Sequence, residues 1–94
     1  MGNRVVVTGL GCTSPLGNDV PTSWEACING QSGIDRITNF DPELYRCQIA
    51  GEIKNFVLPE IIPIKEAKKM DLFIQYSIAA TQEALNDSGL EITK

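Results

Sequence analysis

The feature that most constrains the fold is a run of three valines at residues 5–7, followed at once by a glycine-rich turn. A strand with a continuous apolar run, rather than an alternating one, is buried on both faces. Gly9, Gly11 and Gly17 permit close approaches in the turn that a Cβ would forbid, and Pro15 fixes its backbone there. A strand of this kind needs neighbouring strands and helical layers against it. The opening therefore predicts an α/β protein with residues 5–7 in a central strand.

A first helix is predicted after the turn. Asn18 or Asp19 can cap it, and Gly30 is a natural left-handed stop. Its apolar residues fall at i, i+4, i+7 and i+8, a stripe on one face that is packed by the tryptophan: Val20, Trp24, Cys27 and Ile28.

Residues 31–39 are polar and irregular, so they predict a loop. Asp41 followed by Pro42 predicts a single helical turn through Tyr45. Residues 47–54 alternate between apolar and polar side chains, which is typical of a half-exposed edge strand.

The strongest helical signal starts at Lys65 and ends by turn chemistry at Gly89. One face carries apolar residues at helical spacing: Met70, Phe73, Ile74, Ile78, Thr81 and Leu85. Further apolar residues widen this surface to more than half of the circumference, as in a helix buried against other layers. One buried strand, one edge strand and such a helix cannot cover one another. The sequence therefore has the character of the opening of a larger fold.

Composition excludes several classes of function. The chain has 94 residues and a net charge of −4, whereas nucleic-acid-binding domains are basic. It has no histidine, which removes the commonest general base and the commonest metal ligand. We expect neither a metal nor a cofactor. Three cysteines without a CxxC motif predict reduced thiols in a cytosolic type of compartment. No secretory signal or membrane-spanning apolar run is recognisable.

Two motifs invite a chemical interpretation. Gly9-Leu10-Gly11 after a strand suggests a dinucleotide fingerprint, but the third glycine is replaced by Ser14, and Pro15 interrupts the helix start that a pyrophosphate needs. Cys12 lies where a nucleophile could lie, yet no histidine or neighbouring basic group would activate it, so a packed thiol is favoured.

Residues 5–11, Val-Val-Val-Thr-Gly-Leu-Gly, and residues 14–17, Ser-Pro-Leu-Gly, resemble the start of the β-ketoacyl-acyl carrier protein synthases, the condensing enzymes of fatty acid synthesis. The resemblance continues in order through residues 30–34, 69–71, 73–76 and 87–93. It covers essentially the whole chain and is greatest for the type II, chain-elongating synthases. It implies a thiolase-like fold of layered α-β-α-β-α architecture, of which residues 1–94 would be the N-terminal segment.

The resemblance also implies a homodimeric, cytoplasmic acyltransferase, or one in an organelle matrix after loss of a transit peptide. The family's catalytic cysteine and two histidines lie outside the part that this sequence matches, so no catalytic residue is expected here. The implied partners are the remainder of the synthase chain and acyl carrier protein, which brings phosphopantetheine-linked acyl and malonyl substrates. No nucleic acid or membrane partner is expected.

Three lysines acquire a role from the resemblance. Lys65, Lys68 and Lys69 would otherwise be a solvated helix face, but they match positions at which the family docks its acidic carrier protein. Three alternatives stay open for the whole chain. They are an inactive, chain-length-factor-like relative, a small dinucleotide-binding module, and a stand-alone structural or docking module.

Overall fold

The computed structural model describes residues 2–93. The elements, in chain order, are α1 (Val20–Ile28), β1 (Ile34–Arg36), β2 (Ile49–Gly51), α2 (Ile64–Ala67) and α3 (Leu72–Ser88). The two strands pair antiparallel, with Asp35 opposite Ala50. No helix of the described part is long and apolar enough to cross a membrane.

Helix α1 begins and ends where the sequence predicts. Of the two candidate caps it uses Asp19, whose Oδ1 accepts the Thr22 N–H at 2.8 Å. Hydrogen bonding to Thr22 lowers the pKa of the Asp19 carboxyl. The helix ends at Asn29, and Gly30 follows with φ +70°.

The face that α1 turns inward differs from the predicted stripe. Ser23 and Ala26 are the buried residues of the helix, whereas Trp24 is 63% exposed. Small side chains lie inward because the glycine-rich turn passes close to them, as the hydrogen bond from the Ser23 Oγ to the Gly17 carbonyl at 3.1 Å shows. The prediction that Trp24 packs this helix is therefore wrong for the described part of the chain.

Residues 5–7 do not form the predicted central strand. Val5, Val6 and Val7 are 91%, 67% and 78% exposed, and this stretch has no strand pairing. A strand exists only by hydrogen bonding to a neighbour. Within residues 2–93 no second strand lies beside this one, so the predicted core position is unfilled.

The middle of the chain contains a small sheet. β1 occupies residues predicted as a loop, and β2 is a short part of the predicted edge strand. Glu52 fastens the chain after β1, because its carboxylate accepts the N–H groups of Thr38 at 2.9 Å and Asn39 at 3.0 Å. These bonds lower the pKa of Glu52. The helical turn predicted through Tyr45 is not a helix in the structure. It is a non-helical turn, in which the Tyr45 N–H donates to the Pro42 carbonyl at 2.9 Å.

The predicted continuous helix from Lys65 is divided in two. α2 ends at Ala67, and Asp71 is extended, with φ −66° and ψ 156°, before α3 starts. α3 then runs to Ser88 and ends at Gly89 with φ +70°, as predicted. Its apolar surface is only partly covered, since none of its residues is fully buried among the described ones.

The glycine-rich segment lies directly across α3. A Cβ on Gly11 would overlap the Ala80 carbonyl and lie 2.9 Å from the Ala84 nitrogen. A Cβ on Gly9 would meet the same helix at Ala84 and Ser88. The two glycines are therefore required for close packing of an extended segment on a helix.

The dimensions show that this arrangement leaves much apolar surface uncovered. The radius of gyration is 16.7 Å, against about 12 Å for a compact domain of this length. The accessible surface is 7897 Å², against about 5,400 Å² for a folded monomer of this mass. Among the hydrophobic residues described, only Ala26 and Ile62 are buried. Extensive apolar faces are thus available for packing against further protein.

Candidate functional site

Three exposed lysines lie together on a single short turn. We call α2 and the turn after it, residues 64–70, the lysine turn. Lys65 belongs to α2, Lys68 is its C-cap in helical conformation, and Lys69 follows. The Lys68 N–H bonds to the Ile64 carbonyl at 3.3 Å and the Lys69 N–H to the Glu66 carbonyl at 3.0 Å.

Helical geometry places the three lysine side chains on one side of the lysine turn. At about 100° per residue, Lys65, Lys68 and Lys69 span an arc of about 100°. A shared face is therefore expected from ideal helical spacing, although the long helix assumed for it starts only at Leu72. The lysines lie on a separate short helix before α3.

The local charge opposes that of the whole chain. Three ammonium groups and the carboxylate of Glu66 give residues 65–69 a net charge of +2, which leaves −6 on the rest of the chain. All four side chains are exposed. An acidic partner would be attracted to the lysine turn and repelled by the other surfaces.

One side chain of α3 connects the lysine turn to the rest of the fold. Gln75 is half-buried, and its Nε2 donates to the Ala67 carbonyl at 3.1 Å and to the Met70 carbonyl at 3.4 Å. Both carbonyls belong to the end of the lysine turn. Sequence reasoning missed this contact. The available signal was a polar residue inside the apolar stretch Phe73-Ile74-Gln75-Tyr76.

Carboxylates of α3 accept the backbone N–H groups of the glycine-rich turn that a phosphate would need. Asp87 accepts the Leu10 N–H at 3.1 Å, while Glu83 accepts the N–H groups of Cys12 at 2.9 Å and Val20 at 2.8 Å. A phosphate would need these same donors and would be repelled by the two carboxylates. No helix begins directly after the glycines, because α1 starts only at Val20. The dinucleotide interpretation therefore fails on the geometry.

Cys12 is a packed thiol in a hydroxyl cluster. Its Sγ lies 3.7 Å from the Ser23 Oγ, and that oxygen lies 2.9 Å from the Ser14 Oγ. The cluster lines an open groove of about 340 Å³, together with Leu16, Val20, Trp24 and Cys27. Hydroxyl groups of serine do not deprotonate a thiol, so the contacts support no nucleophilic role. Cys27, which the sequence places on the apolar stripe of the first helix, is exposed, and so is Cys47 at the start of the predicted edge strand.

Residues 2–94 match the family "Beta-ketoacyl synthase, N-terminal domain". The chain belongs to the β-ketoacyl synthase family. The 3-oxoacyl-[acyl-carrier-protein] synthase 2 of Staphylococcus aureus strain COL is 50% identical to it over 91 residues, and that of Vibrio harveyi is 55% identical over 91 residues. Each alignment covers 97% of this chain and 22% of the relative.

A solved structure supports the fold assignment. The structure titled "The ishigamide ketosynthase/chain length factor" superimposes with a TM-score of 0.78 at 31% identity, over 92% of this chain and 21% of that one. The predicted fold class, α/β and thiolase-like with this chain as an N-terminal part, is thereby confirmed.

Proposed function

We propose that this chain is the N-terminal part of a 3-oxoacyl-[acyl carrier protein] synthase that elongates fatty acyl chains. The observation that carries the proposal is 50–55% identity to synthases of that name over nearly the whole chain. In the reaction, malonyl-carrier protein loses CO₂, and the resulting enolate attacks an acyl thioester on an enzyme cysteine. A carbon–carbon bond forms, the cysteine thiol leaves, and the 3-oxoacyl group stays on the carrier protein.

Residues 1–94 supply scaffold and docking surface in this proposal, and the catalytic residues come from elsewhere in the synthase. The chain has no histidine, and Cys12 is not activated. The exposed valines of residues 5–7 and the open apolar surface of α3 would pack against the remainder of the synthase chain. The proposal includes a homodimer that works in the cytoplasm or in an organelle matrix.

The lysine turn is the proposed docking site for acyl carrier protein. Its support is a local charge of +2 in an otherwise acidic chain, on three side chains that share one exposed arc. Charge of this kind accelerates association with an acidic partner and selects its orientation. Since the lysines are exposed, each contributes modestly, about 0.2–1 kcal/mol.

The test is to reverse all three lysines to glutamate in the intact synthase. We expect the KM for carrier-linked substrate to rise at least about threefold at low salt, since three exposed contacts together contribute about 0.6–3 kcal/mol. Turnover of a small acyl thioester that needs no carrier protein should be unchanged. The difference from wild type should shrink as salt rises, because screening removes the attraction.

A second triple variant provides the control. Arg36, Arg46 and Lys54 are exposed cations outside the lysine turn, and reversing them changes the net charge by the same amount. If the two triple variants bind carrier protein equally well at low salt, the lysine turn has no special role in docking.

Assays of the intact wild-type synthase also distinguish the inactive, chain-length-factor-like alternative from an active synthase. The solved structure whose name includes both a ketosynthase and a chain length factor is 31% identical to this chain, whereas the two relatives named 3-oxoacyl-[acyl-carrier-protein] synthase 2 are 50% and 55% identical. Wild-type protein that binds carrier protein through the lysine turn but forms no 3-oxoacyl product would favour the inactive relative.

A further inference from the structure

The geometry points to Gln75 as a positioning residue for carrier-protein docking. We infer that its amide holds the lysine turn against α3 and thereby presents Lys65, Lys68 and Lys69 as a preformed face. The inference rests on the proposed docking function of the lysine turn. It concerns a residue that carries no charge and lies outside the lysine turn itself.

The lysine turn needs an external partner to be rigid. α2 has four residues, far fewer than an isolated helix requires. The last carbonyls of a helix lack intrahelical donors. Here the Ala67 carbonyl uses one of its two lone pairs for the Met70 N–H at 3.1 Å and can accept a further donor, as can the Met70 carbonyl at the end of the turn.

The Gln75 amide meets this need from the neighbouring helix. An amide NH₂ has two donor hydrogens, and Nε2 lies within hydrogen-bond distance of both carbonyls, at 3.1 Å from Ala67 and 3.4 Å from Met70. The Gln75 backbone N–H also bonds to the Asp71 carbonyl at 3.4 Å, which belongs to the residue joining the two helices. That backbone bond is an ordinary helical one, whereas the side chain of Gln75 links the end of α2 and the end of the lysine turn to the first turn of α3.

Rigidity matters for docking because a disordered face must be ordered when the partner binds. If the lysine turn occupies its docking arrangement for only a third to a tenth of the time, the apparent Kd rises about threefold to tenfold. Loss of Gln75 should therefore weaken carrier binding without removing any positive charge.

The experiment is Gln75→Met in the intact synthase, which keeps the length of the side chain and removes its donors. We expect the Kd and KM for carrier-linked substrate to rise about threefold to tenfold. kcat with a small acyl thioester should stay at the wild-type value. The dependence of log Kd on salt should keep its wild-type slope, because the charges remain, whereas reversal of the three lysines should flatten it.

A matched control lies on the same helix. Gln82 donates from its Nε2 to the Asn86 Oδ1 at 2.9 Å, a contact within α3 that does not reach α2. Gln82→Met should leave carrier binding within twofold of wild type. If Gln75→Met does not fold, Gln75→Asn replaces it, since the shorter amide is also uncharged but, one methylene group short, does not reach both carbonyls.

The outcomes separate the two proposals. If the lysine reversal weakens carrier binding while a folded Gln75 variant binds within twofold of wild type, the positioning role is wrong and the docking site stands. If the lysine reversal itself has no effect, both are wrong. Equal loss of activity towards carrier-linked and small thioesters in the Gln75 variant would also overturn the positioning role, because it would show a general structural defect.

Discussion

Glu83 is the side chain on which the arrangement of the first 20 residues depends most directly. Its two carboxylate oxygens accept one N–H each, from Cys12 at 2.9 Å and from Val20 at 2.8 Å. The first bond holds the glycine-rich turn on α3, and the second holds the start of α1. Both bonds have a charged acceptor, and both lie in half-buried surroundings.

The perturbation that isolates these bonds is Glu83→Gln. The glutamine keeps the shape but has one acceptor oxygen, so one backbone N–H faces an NH₂ group and loses its partner. An unsatisfied donor costs about 1–3 kcal/mol, and the remaining bond loses its charge. We expect the free energy of unfolding to decrease by about 2–3 kcal/mol in total. The cost of the unsatisfied donor is taken from the lower part of its range, because the site is only half-buried.

The assay is thermal unfolding of the intact synthase together with amide hydrogen exchange. The relatives have about 400 residues, since 91 aligned residues are 22% of each. A chain of that length has an unfolding entropy of about 0.8 kcal/mol/K, so the expected decrease in Tm is about 2–4 °C. Exchange at the amides of Cys12 and Val20 should accelerate more than exchange elsewhere in residues 2–93.

Glu25→Gln is the control, because Glu25 is an exposed carboxylate on α1. It changes the net charge in the same way and should shift the Tm by less than about 0.5 °C. If Glu83→Gln matched the control in Tm and in exchange at both amides, Glu83 would not hold these two segments together.

Two further predictions follow from the packing. Gly11→Ala should destabilise the synthase by at least about 1–3 kcal/mol, because the new methyl group meets the Ala80 carbonyl. Gly2→Ala is the control and should be neutral, since nothing lies within 4 Å of a Cβ there. Equal Tm values for the two variants would contradict the close approach of Gly11 to α3. The isolated 94-residue chain should show no condensing activity, and acyl transfer to the chain that Cys12→Ser blocks would contradict this. The isolated chain should also bind apolar dyes as a loosely packed or aggregating species, and a sharp cooperative melt of a monomer would contradict that expectation.

The sequence alone predicts helix ends correctly where they depend on the backbone or side chain of a residue at the helix end itself. The Asp19 cap and the two glycine stops were predictable, because Gly30 and Gly89 adopt the positive φ that only glycine takes without strain. The same reasoning was wrong for residues 5–7, because a strand forms only by pairing with another strand, and none lies beside them among residues 2–93. It also missed the division between α2 and α3, because no proline or glycine marks it. The separation at Asp71 is stabilised by Gln75, a contact between two elements and not a property of either sequence.

The lysines show what a family resemblance adds. Periodicity alone placed Lys65, Lys68 and Lys69 on the surface of one long helix, which is wrong in its extent. The family resemblance points to the same three positions without reference to that helix, and their role in docking stays a prediction. Their common arc survives the error because i, i+3 and i+4 residues stay together even within a single turn.

The spacing of the glycines matches a packing site on a helix. Gly9 and Gly11 are two residues apart on an extended segment, a spacing of about 6.6 Å on one side of the chain. Ala80 and Ala84 are four residues apart on a helix, a spacing of about 6 Å on one face. The two small-residue pairs match in length, and the structure places them in contact. A glycine pair serving a phosphate has no need of such a partner.

The hydrogen bonds between the glycine-rich segment and α3 follow the same spacing as the glycines. This agreement fixes the register in which the segment packs on the helix. Leu10 and Cys12 have N–H groups on one side of the extended segment, again about 6.6 Å apart. Asp87 and Glu83 are four residues apart on α3, about 6 Å, and accept these N–H groups in reverse order along the helix. Shifting the segment by one residue would turn its N–H groups away from both carboxylates and bring a side chain against Ala80. The glycines permit the approach, and the carboxylates select the one register in which it is satisfied.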